Sequence, residues 1–148
     1  MKVQYRALEP VADGGWILLH IPGLNHCTDT KGMVAVDLER NKTVGAVIFD
    51  NWTPNAVHAH IILEEPMVLR YGFLEEAFHY AFITAGRQFM LATIQSNNKK
   101  SLKFVKHIGF NEICRIENGY EDGVDIVMLS ADREHCRFIE KSKEAVNV

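Results

Sequence analysis

The sequence contains few cysteines, and none of them forms a pair at the spacing of a zinc site or a redox couple. Its three cysteines, Cys27, Cys114 and Cys136, are widely separated. An odd number of scattered thiols does not predict a disulfide framework. We therefore interpret them as reduced residues that lie mostly in the core.

Long apolar runs are also missing. No stretch approaches the run of about 20 apolar residues that a membrane span requires. Residues 1–6 lack the apolar segment and small-residue cleavage site of a secretory leader. These absences predict a soluble, cytoplasmic protein without a membrane partner.

The sequence has no excess of positive charge. It carries 16 Lys and Arg residues against 19 Asp and Glu residues, a formal net charge of -3. This balance argues against a polyanion as the main partner. Local positive charge is confined to a lysine-rich stretch near residue 100, which leaves nucleic-acid binding as a disfavoured alternative.

The chain has the size and composition of one globular domain. Its 148 residues, of which 47% are hydrophobic, show no repeat and no low-complexity linker. We therefore expect a single domain over residues 1–148.

Periodicity predicts the elements of the first half of the chain. A strand is expected at residues 3–8, a short helix at 16–20 and a turn-rich loop at 21–32. Three strands then follow closely, joined by hairpin-type turns, at residues 33–39, 43–49 and 56–63.

The second half alternates between helix and strand. A helix from Tyr71 to Gly86 carries an aromatic stripe, which we assign to the core: Phe73, Phe78 and Phe82. A strand at 89–95 precedes a helix capped by Asn97 or Asn98 and ended by Gly109. Two last strands, 112–116 and 124–129, are expected around a turn at Asn118-Gly119, and the polar tail after Ser130 is a candidate final helix.

The stretch 98–110 carries the most specific motif. It resembles the Asn-x-x-Ala/Ser-x-x-Leu-Tyr-x-x-x-Gly-Phe signature of the GNAT (GCN5-related N-acetyltransferase) superfamily, and it matches at five positions: Asn98, Ser101, Phe104, Gly109 and Phe110. The tail 132–138 resembles small phage- and prophage-encoded GNAT-like proteins, which implies a bacterium or a phage-infected host. The resemblance spans roughly residues 30–138.

The resemblance implies an α+β fold with a central mixed, mostly antiparallel sheet of about seven strands and helices on both faces. It also implies acetyl-CoA as co-substrate. In the family, a glycine-rich loop before a helix binds the pyrophosphate through backbone amides. Here the matching stretch is 69–74, in which the first glycine is present as Gly72. The resemblance thus implies cofactor binding by residues of this loop and of the signature helix: Arg70, Gly72, Phe73, Leu74, Asn98, Lys100 and Ser101.

Two further sets of residues are implied to act in catalysis and in acceptor binding. Val105 stands where the family usually has the tyrosine that protonates the departing thiolate. Another residue or solvent would have to do so here, or the chemistry is lost. Trp16, Asn51 and Trp52 border the acceptor side of the resembled fold, although Trp52 is equally well explained as a strand-end anchor.

His58 and His60 are the candidate catalytic bases. Strand alternation places both on one face of the predicted strand 56–63, and an imidazole can take a proton from an amine near neutral pH. Two alternatives stay open: a structural, hydrogen-bonded role, and half of a metal site completed by His20 or His26.

The leading functional hypothesis is an acyl-CoA-dependent N-acetyltransferase that transfers the acyl group directly to a small-molecule or peptide amine, with the thioester between strands four and five. The alternative is a catalytically inactive GNAT-fold binding or accessory protein. The sequence leaves the oligomeric state open, with a homodimer as one alternative.

Overall fold

The computed structural model describes residues 1–24 and 29–139. The chain divides into two compact units. One consists of residues 1–52 and 59–77, and the other of residues 53–58 and the described residues from 78 onward. His26 and Cys27 lie outside the described residues.

The first unit is an antiparallel sheet with one long helix. Its elements are β1 (Val3–Ala7), α1 (Pro10–His20), β2 (Lys31–Asp37), β3 (Lys42–Asp50) and the end of β4 (Ala56–Leu63). Strand β2 pairs with both β1 and β3. Pro10 at the first helical position of α1 supplies the φ angle that a helix start needs. One cluster of its core consists of five buried apolar side chains: Ile17, Val34, Ala46, Ile48 and Ile62.

A short 3-10 helix, Pro66–Tyr71, leads from β4 to α2 (Phe73–His79), which continues as a π-helical turn over Tyr80–Thr84. The sequence predicts one helix as far as Gly86, so helical structure here is confirmed, with a change of winding. The widened turn closes with an i→i+5 hydrogen bond of 2.8 Å from the Ala85 amide to the Tyr80 carbonyl.

The second unit contains the only parallel pairing among the described strands. The first three residues of β4 pair in parallel with β5 (Phe89–Gln95), which in turn pairs with β7 (Val124–Asp132). Strand β6 (Asn111–Glu121) lies outside β7. The seven strands are hydrogen-bonded in the order β1-β2-β3-β4-β5-β7-β6, so the predicted mixed, mostly antiparallel sheet is confirmed.

Aromatic packing stabilises the second unit. The ring of Phe78 lies 5.8 Å from that of Phe82, 6.3 Å from that of Phe110 and 5.1 Å from that of Phe138. Phe73 and Phe82 are fully buried, and Phe78 is 1% exposed. The assignment of the aromatic stripe to the core is therefore confirmed.

The predicted turn at Asn118-Gly119 is wrong. Both residues lie within β6, and the chain reverses at residues 122–123 instead, where Gly123 has a φ of 83°. Asn118 has a φ of 55°, and its side-chain oxygen accepts a 2.8 Å hydrogen bond from the Gly123 amide. The Asn-Gly pair thus forms an irregularity in the hairpin, between Ile116 and Glu121.

The polar tail is only partly described. Strand β7 continues to Asp132, two residues into the segment that the sequence assigns to a candidate helix, and residues 137–139 are helical. Residues 133–136 are not helical, and the tail beyond residue 139 lies outside the described residues. No helix of the described ranges has the length and apolarity of a membrane span.

A partly buried ion pair ties α1 to β1. The Arg6 guanidinium donates to both oxygens of Asp13, at 2.8 and 2.7 Å, and the Glu9 amide donates to the same carboxylate at 2.8 Å. The Asp13 side chain is 7% exposed and that of Arg6 is 37% exposed. The hydrogen bonds from Arg6 hold the pKa of Asp13 below its ordinary value.

We predict that Asp13→Asn lowers the free energy of unfolding by about 2 kcal/mol at neutral pH, because it removes a charged acceptor of three hydrogen bonds. Since the folded-state pKa is lowered, this stabilisation is present above the unfolded pKa of about 3.9 and is lost as the pH falls through the folded value. Urea unfolding at pH 7 and below pH 4 measures both effects. Glu9→Gln, which keeps the backbone donor, is the control. An equal loss in the two variants would contradict the prediction.

Candidate active site

His60 lies in β4 and contacts Asp50, the last residue of β3. Its Nε2 atom is 3.0 and 3.2 Å from the two Asp50 carboxylate oxygens. The His60 side chain is 23% exposed and that of Asp50 is 13% exposed. A carboxylate that accepts from Nε2–H fixes the ring orientation and leaves Nδ1 as the basic nitrogen. The pair is therefore an oriented imidazole that can take a proton.

His58 lies two residues earlier in the same strand and is half-buried. It stands opposite Leu91 in the last of the three parallel pairs between β4 and β5. Strand β4 then continues through Leu63. The prediction that both histidines lie on one face of β4 agrees with their spacing in this strand.

Gly72 joins the 3-10 helix to α2. Its φ is 81°, in the left-handed region that favours glycine, and a Cβ built there has no atom within 4 Å. The Gly72 carbonyl accepts from the Glu76 amide at 3.0 Å, so the preceding amides of the first turn have no partner within the helix. Phe73 and Leu74 are buried, which restricts any contact they make with a phosphate to their backbone amides. Arg70 is exposed.

The first turn of α2 also carries negative charge. Glu75 and Glu76 follow the loop directly. Burial, together with these two carboxylates, raises the pKa of Tyr5 to about 12. The Tyr5 hydroxyl donates to the Tyr71 carbonyl at 2.7 Å, which anchors the residue before Gly72. An anion at this turn would meet orphan amides and two nearby carboxylates at once.

The signature helix is α3 (Lys99–His107). Asn98 is its N-cap, and its side-chain oxygen accepts from the Ser101 amide at 3.2 Å. The cap predicted at Asn97 or Asn98 is thus confirmed at Asn98. Lys100 is exposed and Ser101 is half-buried. Val105 is 5% exposed, so it packs in the core of the second unit.

Trp16 lies on α1 in the first unit. Its indole Nε1 donates to Glu64 Oε2 at 3.0 Å, and its ring lies 4.3 Å from that of His20. Glu64 directly follows β4, and its other carboxylate oxygen is 3.4 Å from Lys42 Nζ. The structure thus brings a predicted acceptor residue beside a carboxylate.

Asn51 and Trp52 form the corner after β3. Asn51 is exposed and has a φ of 50°. The Trp52 indole donates to the Asp29 carbonyl at 2.7 Å, and its ring lies 6.2 Å from that of Phe49. These contacts suit the alternative role of Trp52 as a strand-end anchor.

Sequence reasoning missed Asp50 and Glu64. Asp50 falls just after the predicted strand 43–49, and its contact with His60 joins two strands, so no local pattern links the two residues. A carboxylate at the end of one strand, close to a histidine on the next, is the signal that could have identified the pair. Glu64 falls just after the predicted strand 56–63, and its contact with Trp16 joins residues that are far apart in the sequence.

Comparisons with known proteins bear on the fold. No protein-family model matches the sequence, and no curated protein matches it. Solved structures do match. The spermidine/spermine N-acetyltransferase SpeG from Vibrio cholerae, in complex with manganese ions, is similar with a TM-score of 0.74 at 13% identity, over 95% of this chain and 97% of that chain.

Mutant forms of the same Vibrio cholerae enzyme are similar to the same degree. One pair of mutants gives a TM-score of 0.74 at 14% identity, over 95% of this chain and 99% of that chain. Another mutant gives a TM-score of 0.70 at 17% identity, over 94% of this chain and 99% of that chain. The chain therefore has the GNAT fold, as its signature helix predicts.

Proposed function

We propose that this chain is an acetyl-CoA-dependent N-acetyltransferase that acts on a small-molecule or peptide amine. The observation that carries the proposal is the contact between His60 and Asp50, at 3.0 Å, on the central strand of a GNAT fold. A half-buried imidazole held by a carboxylate is the arrangement of a general base. The reaction of a thioester with an amine needs such a base.

An alkyl amine that is protonated at neutral pH loses two protons on its way to the amide. The first goes to solvent, because the nitrogen must be neutral before it attacks the thioester carbon. In the proposed step, His60 Nδ1 accepts the second proton as the C–N bond forms, and the C–S bond then breaks to release the thiolate. Asp50 stabilises the imidazolium. Because Val105 has no proton to give, the thiolate takes its proton from solvent.

The acyl donor is proposed to bind through backbone groups. Strand β4 continues beyond its last pair with β5, at His58, as far as Leu63, and its amides there are candidates for polarising the acyl carbonyl. The loop at Gly72 offers orphan amides to the pyrophosphate, with Arg70 as an exposed cation. Asn98, Lys100 and Ser101 remain candidates for further contacts to the cofactor.

The acceptor is proposed to be a cationic amine before it reacts. Glu64 is exposed, and its carboxylate lies against the indole of Trp16. A carboxylate beside an aromatic ring attracts an ammonium group by charge and by cation–π interaction. The similar SpeG structures are of spermidine/spermine N-acetyltransferases, which makes spermidine a suitable first probe.

A GNAT-fold binding protein without turnover is the second candidate. Two observations favour it: the acidic first turn of α2, with Glu75 and Glu76, and the buried Val105 in place of a proton donor. Absence of acetyl-CoA binding at millimolar concentration would select this alternative.

We predict that the protein binds acetyl-CoA and coenzyme A, and that Gly72→Glu weakens binding at least tenfold while Gly72→Gln weakens it much less. Both variants place a side chain of the same size at a positive φ, in open space, and both bear the same backbone strain of roughly 1 kcal/mol. Only the glutamate repels the pyrophosphate. Isothermal titration calorimetry measures the affinities. Equal affinities of the two variants would rule out a phosphate site at Gly72.

We predict that His60→Gln lowers the rate of acetyl transfer to spermidine about 100-fold, because it removes the base, and that Asp50→Asn lowers it about tenfold through loss of orientation. Thiol release from acetyl-CoA measures the rate. The affinity for acetyl-CoA should stay the same in both variants, which separates the chemical step from folding and cofactor binding. His107→Gln, at an exposed histidine of α3, is the control. Full activity of His60→Gln would exclude His60 as the base.

A further inference from the structure

Three side chains that can bind a metal ion lie together around strand β4. Asp50, His58 and His60 each offer one ligand atom, and these atoms all lie within 4.8 Å of one another. One of the distances is the 3.0 Å contact between His60 Nε2 and an Asp50 carboxylate oxygen. All three residues are half-buried. Within residues 1–24 and 29–139, no other group of three His, Cys, Asp or Glu side chains is as compact.

The third ligand differs from those that the sequence suggested. His58 and His60 are two residues apart in β4, so they project to the same side of the strand. His20 lies on α1, where its Nδ1 atom is 2.9 Å from the Trp16 carbonyl oxygen. His26 lies outside the described residues. The carboxylate at the end of β3 completes the set instead.

The separations suit a small tetrahedral ion. Zinc binds imidazole nitrogen at about 2.0–2.1 Å and carboxylate oxygen at about 2.0–2.2 Å, which places tetrahedral ligands about 3.4 Å from each other. The contact between His60 and Asp50 is already close to this separation. The widest separation in the set needs to shorten by about 1.5 Å at most. Three protein ligands leave the fourth position to water.

The donor atoms select the kind of ion. Magnesium and calcium take oxygen ligands, so a set with two imidazoles disfavours both. Imidazole suits zinc, copper, iron and nickel. Two histidines and one carboxylate, with a fourth position left open, are a ligand set that zinc uses in proteins. Zinc is therefore the ion that fits these residues best.

We propose that Asp50, His58 and His60 bind one Zn²⁺ ion, and that this ion blocks the proton transfer assigned to His60. The metal site itself is independent of catalysis, whereas the inhibition rests on the proposed function. The ion takes the place of the Nε2 proton between the His60 ring and the Asp50 carboxylate. Zinc binding and base catalysis at His60 are then mutually exclusive.

Zinc binding changes which nitrogen of His60 carries the proton. In the metal-free protein, Nε2–H donates to Asp50 and Nδ1 has the available electron pair. Zinc takes the Nε2 electron pair and the Nε2 proton goes to solvent, while Nδ1 takes a proton from solvent, so the ring stays neutral. A protonated Nδ1 cannot accept a proton from the amine. Removal of the ion reverses these changes.

Calorimetric titration of the metal-free full chain with Zn²⁺ tests the site without turnover. We expect one ion per chain with a micromolar dissociation constant, and no binding of Mg²⁺. His58→Gln should raise the dissociation constant for zinc at least tenfold, because it leaves two ligands. His135→Gln is the matched control, since His135 also contacts a carboxylate, Asp132 Oδ1 at 2.7 Å, but belongs to no group of three ligands among the described residues.

The control variant should bind zinc as tightly as the wild type. Circular dichroism checks that each variant is folded. Absence of zinc binding, equal affinities of the wild type and His58→Gln, or equal losses in the two variants would overturn the metal site. X-ray absorption at the zinc edge should show nitrogen and oxygen ligands alone. A zinc–sulfur distance of about 2.3 Å would overturn the site, because a cysteine would then bind the ion.

The inhibition has its own measurements. Long-range 1H–15N NMR should place the His60 proton on Nδ1 in the zinc-bound protein. Saturating zinc should slow acetyl transfer at least tenfold in the wild type, and a chelator should restore it. The rate of His58→Gln should be the same with and without zinc. A wild type whose rate is unchanged by bound zinc would overturn the inhibition. Zinc binding by a protein that transfers no acetyl group when metal-free would instead overturn the proposed function.

Discussion

The hydrogen bond between His60 and Asp50 joins the fold of this chain to its proposed chemistry. The contact is made between the last residue of β3 and the middle of β4. It depends on the hairpin that returns the chain after Asp50. Trp52 secures that corner through the Asp29 carbonyl and the Phe49 ring, so the anchoring residues support the orientation of the base.

Local signals predicted most of the fold. Strands β4 and β5 begin and end where the apolar runs 56–63 and 89–95 do. The cap of α3 at Asn98 follows from side-chain chemistry within one turn, since its oxygen can reach only a nearby amide. The aromatic stripe of α2 indicated its own buried face for the same reason: helical spacing is a local property.

Non-local contacts limited what the sequence could predict. The Asn118-Gly119 pair is a strong hairpin signal, but Asn118 bonds to Gly123 and Asp125, and the reversal moves to Gly123. In the candidate site, the sequence indicated His60 but not the carboxylate that orients it. The loop at Gly72 is a second example. The sequence identified Gly72, but the contribution of Glu75 and Glu76 to the raised pKa of Tyr5 depends on how α2 packs.

The tautomer of the neutral His60 ring, that is, which nitrogen carries the proton, tests the proposed mechanism most directly. Long-range 1H–15N NMR of the imidazole distinguishes the two neutral tautomers, and Asp50→Asn provides the comparison. With Asp50 as acceptor, the neutral ring should carry its proton on Nε2 and leave Nδ1 unprotonated, and this preference should weaken in the variant. A neutral His60 with its proton on Nδ1 would contradict the account, because the nitrogen assigned as the base could not accept a proton from the amine.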